Sequence, residues 1–368
     1  MDVGCVKEIK AYEFRVGLTP DNVKEYVSRG HRVYVEASAG EGSGFSDAEY
    51  KESGAHIVKT AGEVWNRCGM IVKVKEPLKS EYGFLRGGQI LFTFLHLAAD
   101  KPLTEALMKS GCTAVAYETI EDSRGGLPLL RPMSEIAGRL SVQAGARHLE
   151  KPLGGRGVLL GGVPGVKSAK TVIIGAGIVG KNACKMAVGA GSDVTVLDIS
   201  LDSLRIMDDM FGGRIRTLYS TPQAVRSEIR DADLVIGAVL IHGASAPKVV
   251  KREYLSQMRP GSVIVDVAVD QGGCVETTRP TYHDDPVFAV DGVIHYCVAN
   301  MPGAVPRTST LALTNATLKY GLALADNGAE RLAEADRGFA KGINVYGGAC
   351  VYDKVAQSLG IKAGVLPF

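Results

Sequence analysis

The chain has 368 residues, 46% hydrophobic and 22% charged, and its 42 basic and 40 acidic residues leave a formal charge of +2. These values exclude a disordered or fibrous chain, and they give no overall charge that would attract nucleic acid or an anionic membrane. The longest stretch without a charged residue, 292–306, is too short for a membrane span and contains two prolines. Seven scattered cysteines without a C-x-x-C pair indicate buried thiols of a cytoplasmic protein, with neither a disulfide framework nor a metal site.

Short apolar runs alternate with segments of helical period, which is typical of parallel sheets joined by helices, so the predicted fold class is α/β. The first strand covers residues 3–6. A helix begins after Thr19, which supplies a capping hydroxyl before a proline, and it ends near Gly30. Further strands of this first sheet are predicted at 31–36, 70–75, 90–96 and 113–118.

A long helix predicted around Ser134 leaves the first sheet and places a domain boundary near residue 130. A glycine-rich stretch, 154–165, precedes a second series of strands at 171–174, 194–197, 234–236 and 263–265. After Pro306 the pattern turns helical, and this closing segment is expected to pack back on the first domain. The predicted division is therefore 1–130 plus 306–368 for one domain and 131–305 for the other.

The second series of strands opens with a dinucleotide-binding motif. An apolar strand runs into G-x-G-x-x-G at Gly175, Gly177 and Gly180, and a helical pattern follows. In such a loop the first glycine makes the turn, the second lets a pyrophosphate approach the backbone, and the third allows close helix packing. Asp198 ends the next strand, where an acid is expected to bind the ribose hydroxyls of the nucleotide.

Two other interpretations of this loop remain open. Gly175, Gly180 and Lys181 also match a phosphate-binding P-loop, although Asn182 stands where Ser or Thr would bind magnesium. The glycines can also serve a tight turn alone. Because the carboxylate of Asp198 would repel a 2′-phosphate, the sequence favours NAD over NADP, with nearby Arg205 as the opposing feature.

Polar residues at the carboxyl ends of strands are candidates for catalysis, because ligands bind there in open parallel sheets. Lys75 ends the predicted strand 70–75, with Lys73 expected on the same face, and His96 ends the strand 90–96. Either residue alone is more often structural, but two at the ends of neighbouring strands favour a site.

Asp270 and Arg15 are weaker candidates from position alone. Asp270 follows a predicted strand and precedes a glycine turn, where it either faces a cleft or caps the turn. Arg15 follows the first strand, where its guanidinium can clamp a carboxylate or simply be solvated.

The chain resembles the alanine dehydrogenases, and the similarity extends from residue 3 to about 360. The blocks that carry it are K-E-I-K (7–10), R-V-G-L-T-P (15–20), I-V-K-V-K-E-P (71–77), L-H-L-A (95–98), P-M-S-E-I-A-G-R-L (132–140), G-A-G-I-V-G (175–180), D-V-A-V-D-Q-G-G-C (266–274) and H-Y-C-V-A-N-M-P-G-A-V-P (295–306). Two departures are Val6 and His242, each at a position where the family is expected to have proline. His242 borders the expected nucleotide site.

The resemblance implies two Rossmann-like doubly wound domains around a cleft, NAD as cofactor, a homohexamer, and L-alanine, pyruvate and ammonium as substrates. It implies that Arg15 and Lys75 bind pyruvate, that His96 is the acid/base, and that Asp270 assists at the amine. It also implies nucleotide contacts, which are Ser134, Asp198, Ser220, Asn300 and Met301. Two alternatives stay open, a soluble nicotinamide-binding component of a transhydrogenase and a dinucleotide-binding protein without turnover.

Overall fold

The computed structural model of the chain describes residues 1–239 and 246–368, and His242 lies outside them. These residues form two compact units. The first unit comprises Met1–Met133 and Val305–Phe368, and the second comprises Ser134–Ala304. The first is therefore discontinuous in sequence.

The strands of the described residues, in chain order, are β1 Asp2–Cys5, β2 Arg32–Glu36, β3 His56–Val58, β4 Met70–Val72, β5 Ile90–Thr93, β6 Thr113–Ala116, β7 Lys170–Ile174, β8 Asp193–Asp198, β9 Ile215–Tyr219, β10 Leu234–Gly237, β11 Val263–Asp266, β12 Val287–Val290, β13 Val293–Tyr296, β14 Ile343–Tyr346 and β15 Ala349–Cys350. The helices are α1 Pro20–Ser28, α2 Asp47–Glu52, α3 Ala61–Arg67, α4 Lys101–Ser110, α5 Arg131–His148, α6 Ile178–Gly189, α7 Leu201–Phe211, α8 Pro222–Arg230, α9 Arg252–Leu255, α10 Pro306–Ala335, α11 Arg337–Ala340 and α12 Asp353–Leu359.

The sheet of the first unit has the strand order β3-β2-β1-β4-β5-β6-β14-β15. The strands from β3 to β6 are parallel, and β14 and β15 add an antiparallel edge. The order reverses between β1 and β4, which makes the carboxyl ends of these two strands a topological switch point. Ligands of doubly wound folds bind at such a point.

The sheet of the second unit repeats this plan in the order β9-β8-β7-β10-β11-β13-β12. All neighbours are parallel except the edge strand β12. This is the strand order of a Rossmann domain, with its switch point between β7 and β10. Both units therefore confirm the predicted α/β class and the doubly wound fold.

Thr19 caps α1 through a capping box, as its position before Pro20 predicts.

Long-range hydrogen bonds join the closing helix, α10, to other segments of the first unit. Thr310, in α10, accepts a hydrogen bond from the amide of Val16 and contacts the hydroxyl of Ser43 at 2.8 Å. The closing helix is thereby tied to the segment between β1 and α1.

Several strands end earlier than predicted or were not predicted. The strand 70–75 ends at Val72 and the strand 90–96 at Thr93, whereas β3, β9, β12, β13, β14 and β15 were not predicted. Edge strand β9 has Arg216 and Thr217 between Ile215 and Leu218, so it lacks an apolar run. Every helix in residues 1–239 and 246–368 is too short or too polar to cross a bilayer.

Candidate active site

Three of the predicted residues lie in loops at the switch point of the first unit. Arg15 follows β1, Lys75 lies three residues beyond β4, and His96 lies three residues beyond β5. Because β1, β4 and β5 are neighbouring parallel strands, their carboxyl ends place these loops on one edge of the sheet.

Arg15 is not a solvated arginine, because it is 2% exposed. Its Nε and Nη2 atoms donate to the two carboxylate oxygens of Glu13, at 2.6 and 2.5 Å, and Nη1 donates to the sulfur of Met133 at 3.1 Å. The bidentate pair keeps the charged guanidinium in a fixed orientation inside the fold. Sequence reasoning missed Glu13, although its spacing of two from Arg15 was visible.

Lys75 is fixed at its backbone by two side chains. Its amide donates to Oε1 of Glu8 at 3.2 Å, and its carbonyl accepts from the hydroxyl of Thr93 at 3.0 Å. Burial and the neighbouring Arg15 guanidinium lower the pKa of the Lys75 ammonium. A lysine with a lowered pKa in such a loop is a group whose charge responds to what binds beside it.

Lys73 does not share the surroundings of Lys75, contrary to the prediction from strand periodicity. The strand has already ended at Val72, and Lys73 is fully buried. Its ammonium lies 2.9 Å from Glu81 and 3.2 Å from Glu8, and these two carboxylates raise its pKa although burial opposes them. Lys73 is therefore an internal counter-charge beneath the loop that carries Lys75.

His96 has a half-exposed ring on a constrained backbone. Its φ is +52°, in the left-handed region, and its amide donates to Oε1 of Glu118 at 2.6 Å. Nδ1 of the ring lies 3.4 Å from Oε2 of Glu76, and the ring of Phe94 stacks on it with centroids 5.8 Å apart. The ring is thus held from two sides within the first unit.

The glycine loop of the second unit connects β7 to α6 at the switch point. Gly175 has a φ of +110°, and a Cβ on Gly180 would lie 1.8 Å from the carbonyl oxygen of Gly175. These two glycines are required by the backbone itself. A Cβ on Gly177 would meet nothing within 4 Å, and this residue is the N-cap of α6. Gly177 therefore leaves open space beside the amino end of a helix, where an anion binds favourably.

Asp198 ends β8 and contacts the glycine loop. Oδ2 accepts a 2.6 Å hydrogen bond from the amide of Ala176, and Oδ1 accepts from the amide of Ser200 at 2.7 Å. Ser220, just after β9, donates its amide to the carbonyl of Asp198 at 3.0 Å. Arg205 instead pairs with Asp202 on the surface of α7.

Asp270 lies four residues past β11, in a 3₁₀ turn at Val269–Gln271, and its side chain is exposed. The amide of Asn300, whose φ is +62°, points to Oδ2 of Asp270 at 3.5 Å. The structure thus brings Asp270 and Asn300 together. Met301, next in sequence, is buried.

Two residues that sequence reasoning missed support the Asp270 loop. The fully buried Asp266 accepts hydrogen bonds from the amides of Ala268 and Val275 and from the hydroxyl of Thr278. The ammonium of Lys248 donates to three carbonyl oxygens of the following turn, those of Gly272, Gly273 and Val275.

Ser134 lies half-buried in the first turn of α5, and none of the described hydrogen bonds joins it to the glycine loop.

Comparison with known proteins places this arrangement in a family. Residues 4–137 match the model of the alanine dehydrogenase/PNT N-terminal domain, and residues 141–353 match that of the C-terminal domain. The chain belongs to the alanine dehydrogenase/PNT family. Within this family, the chain is 54% identical over 362 residues to an alanine dehydrogenase of Halomonas elongata, with 98% of each chain covered.

Two solved structures resemble the chain to different degrees. A structure of L-alanine dehydrogenase superimposes with a TM-score of 0.95 at 54% identity, covering 98% of this chain and 99% of that one. A transhydrogenase from Sinorhizobium meliloti gives a TM-score of 0.81 at 26% identity, covering 96% and 99%. The fold is common to both, whereas the sequence is nearer to the dehydrogenase.

Proposed function

We propose that this protein is an L-alanine dehydrogenase, which catalyses the reversible NAD-dependent oxidative deamination of L-alanine to pyruvate and ammonium. The observation that carries the proposal is the grouping of Arg15, Lys75 and His96 at the switch point of the first unit. The 54% identity to an alanine dehydrogenase over nearly the whole chain supports it.

The cationic side chains of the first unit bind the 2-oxo acid. The guanidinium of Arg15 pairs with the carboxylate of pyruvate or alanine, and Glu13 keeps it oriented. The ammonium of Lys75 polarises the ketone oxygen. An anionic substrate beside Lys75 opposes the effect of Arg15 on its pKa and favours the charged form that this role needs.

His96 and Asp270 manage the protons and the amine. An imidazole can both accept and return a proton near neutral pH, which carbinolamine formation and loss of water from it require. The carboxylate of Asp270 stabilises the cationic amine or imine of the substrate. Lys75, His96 and Asp270 are thus the proposed catalytic residues, with Arg15 and Lys75 binding substrate.

The second unit carries residues that fit NAD. The open space at Gly177 and the amino end of α6 suit a pyrophosphate, with Gly175 and Gly180 shaping the turn. Asp198 binds the adenosine ribose, and its charge disfavours a 2′-phosphate. Further nucleotide contacts come from Ser134, Ser220, Asn300 and Met301. When bound, the nicotinamide supplies the hydride for amination and accepts it for deamination.

The two units have separate roles in this proposal. The first, discontinuous unit is the substrate and catalytic domain, and the second is the NAD-binding domain. The seven buried free thiols are suited to the reducing cytoplasm. The family resemblance further suggests a homohexamer, which light scattering coupled to size-exclusion chromatography can measure.

An initial-rate assay tests the proposed function. NADH oxidation is followed with pyruvate alone, ammonium alone and both together, and the product is identified by chromatography. We expect oxidation to require both substrates and to yield L-alanine. Deamination releases one proton. The apparent equilibrium constant at fixed pH should therefore shift about tenfold toward pyruvate for each unit by which the pH rises, which corresponds to roughly 1.4 kcal/mol.

Three other results would each contradict the proposal. Rapid formation of lactate without ammonium would indicate a 2-hydroxy-acid dehydrogenase. Hydride transfer between two nucleotides without either substrate would indicate a transhydrogenase component. NADH binding with no turnover under any of these conditions would indicate a binding protein.

A further inference from the structure

The carboxylate of Glu76 lies against the ring of His96. Glu76 follows Lys75 in the loop after β4, and its side chain is 11% exposed. Oε1 pairs with the ammonium of Lys10, and Oε2 lies 3.4 Å from Nδ1 of His96. One carboxylate thus has a cation on one oxygen and an imidazole nitrogen on the other.

The nearest ring nitrogen to Oε2 of Glu76 is Nδ1 of His96. This oxygen is buried, and no hydrogen bond satisfies it within the described parts of the chain. A buried carboxylate oxygen without a donor is costly, and Nδ1–H of His96 is a donor that a small ring movement brings into hydrogen-bond range. The pair is therefore poised to form a charge-assisted hydrogen bond.

The rest of the His96 environment fixes which nitrogen meets Glu76. Glu118 fixes the backbone amide of His96, Phe94 stacks on the ring, and Nδ1 is the ring nitrogen that lies beside Glu76. With Nδ1 facing a carboxylate, the proton of the neutral ring is retained on Nδ1. The opposite nitrogen, Nε2, then carries the lone pair.

We propose that Glu76 is a positioning residue for His96, which orients the ring, stabilises its protonated form and leaves Nε2 as the nitrogen that exchanges protons with the substrate. This inference rests on the proposed function, in which His96 is the acid/base. It adds a carboxylate that acts through the histidine without touching the substrate.

The charges around the pair define what Glu76 contributes. Burial opposes the charged form of Glu76, but His96 and Lys10 hold the pKa of its carboxyl well below the usual range. Near neutral pH, Glu76 is therefore the anionic member of this pair. The other charged or titratable groups around this pair are Lys75 in the same loop, Tyr82 in the following 3₁₀ turn and Glu118 after β6, with Asp100 before α4 acting on Tyr82.

The two neighbours of the carboxylate predict opposite effects of mutation. Glu76→Gln removes the negative charge from beside the imidazolium and leaves the cation of Lys10. A positive charge on the ring then loses its anionic neighbour, which favours the neutral ring. Lys10→Met removes the competing cation instead, so the anion of Glu76 favours a positive charge on the ring more strongly.

Chemical modification measures this without any turnover. Diethyl pyrocarbonate reacts with neutral imidazole, and mass spectrometry of the His96 peptide gives the rate at this one histidine. At pH 6 we expect the rate to rise about threefold to tenfold in Glu76→Gln, in line with loss of a nearby opposite charge, and to fall in Lys10→Met. Glu105→Gln, an exposed glutamate of α4, serves as the matched control and should leave the rate unchanged.

Activity supplies the second readout. Glu76→Gln should lower kcat by about 10- to 100-fold, part of the usual contribution of a general acid/base, with little change in the KM for pyruvate or in NADH binding. Loss of turnover with unchanged His96 reactivity would overturn the proposal, because Glu76 would then support only the fold. Unchanged turnover would overturn it as well.

The outcomes separate this inference from the proposed function. One outcome is that the wild-type protein shows no alanine-dependent NADH formation while Glu76→Gln and Lys10→Met still change His96 reactivity in opposite directions. In that case the proposed function is wrong and the role of Glu76 at His96 is supported. If Glu76→Gln does not fold, the reactivity of Lys10→Met decides, and an unchanged or higher rate overturns the proposal.

Discussion

The amide of Ala176 donates a 2.6 Å hydrogen bond to Oδ2 of Asp198. One carboxylate therefore joins the second residue of the glycine loop to the end of the neighbouring strand. An acid at this place in a dinucleotide-binding domain also accepts from the ribose hydroxyls. In the proposed NAD site, Asp198 would therefore act on the nucleotide both directly and through the shape of the loop.

Asp198→Ala should weaken NADH binding more than NADPH binding. The substitution removes a charge-assisted acceptor, which corresponds to a loss of about 10- to 100-fold in NADH affinity, and it also removes the charge that repels a 2′-phosphate. Fluorescence titration with both nucleotides measures the two dissociation constants. Asp21→Ala, an exposed aspartate of α1, should leave both unchanged. Equal use of NADH and NADPH by the wild-type protein would contradict the assignment of NAD.

Gly177→Ala should weaken nucleotide binding without unfolding the protein. Its φ of −71° suits alanine, and the added Cβ meets no atom of the chain within 4 Å. The methyl group would instead occupy the space into which a pyrophosphate comes. We expect the NADH dissociation constant to rise at least about tenfold while Tm stays within about a degree of the wild-type value.

The matched control for this experiment is Gly189→Ala, at the other end of α6. A Cβ there also meets nothing within 4 Å, so NADH binding should be unaffected. If Gly177→Ala binds NADH as tightly as the wild-type protein does, the glycine loop is only a structural turn.

Lys75→Met should stabilise the protein and inactivate it. Burial and Arg15 lower the pKa of Lys75 in the folded state, so folding is opposed by the protonated ammonium below the unfolded pKa. A neutral side chain removes this cost at pH 7, and the gain should disappear above about pH 10.5, where the unfolded lysine is also neutral. Urea unfolding followed by the fluorescence of Trp65, which is buried in the first unit, measures the change.

The same variant should lose about 100-fold or more in kcat, as expected on removing an electrostatic stabiliser. NADH binding should persist because the glycine loop lies in the second unit. A stable variant with near-normal turnover would exclude Lys75 from catalysis. A destabilised variant would contradict the claim that the charge of Lys75 opposes folding.

The apolar runs of the sequence located the central strands of both sheets well. The strands β7, β8, β10 and β11 lie within about one residue of their predicted bounds, because buried parallel strands are continuously apolar. Periodicity failed at strand ends. Val74 continues the apolar pattern, but its amide donates a 2.6 Å hydrogen bond to the side chain of Glu8, and the regular strand ends at Val72.

The candidate site residues could be named from strand ends, but carboxylate partners that lie far away in the sequence could not. Glu8 meets Lys73 across 65 positions of sequence, and Lys10 meets Glu76 across 66. Composition and spacing contain no information on such contacts, which exist only once parallel strands bring their loops together. The sequence also shows Lys73 and Lys75 as equivalent. In the fold, two carboxylates raise the pKa of Lys73 against the effect of burial, whereas burial and Arg15 lower the pKa of Lys75.

Lys73→Met should destabilise the first unit strongly. The ammonium of Lys73 is the counter-charge of two buried carboxylates, Glu8 at 3.2 Å and Glu81 at 2.9 Å. Removing one partner of a buried ion pair leaves uncompensated charge, which costs about 3–5 kcal/mol of unfolding free energy. Trp65 fluorescence in urea measures the loss, and the triple variant in which Glu8 and Glu81 are also replaced by Gln should recover part of it.

The pH dependence of this variant tests the cause of the destabilisation. Burial raises the pKa of Glu8 in the folded state above its unfolded value, even with Lys73 present, and removal of the ammonium raises it further. A carboxyl with a raised folded pKa binds protons more tightly when folded, so lowering the pH through that value restores stability. The difference between the wild-type protein and Lys73→Met should therefore be smaller at pH 5.5 than at pH 8. An equal difference at both values would mean that lost packing of the lysine side chain, rather than unpaired charge, is responsible.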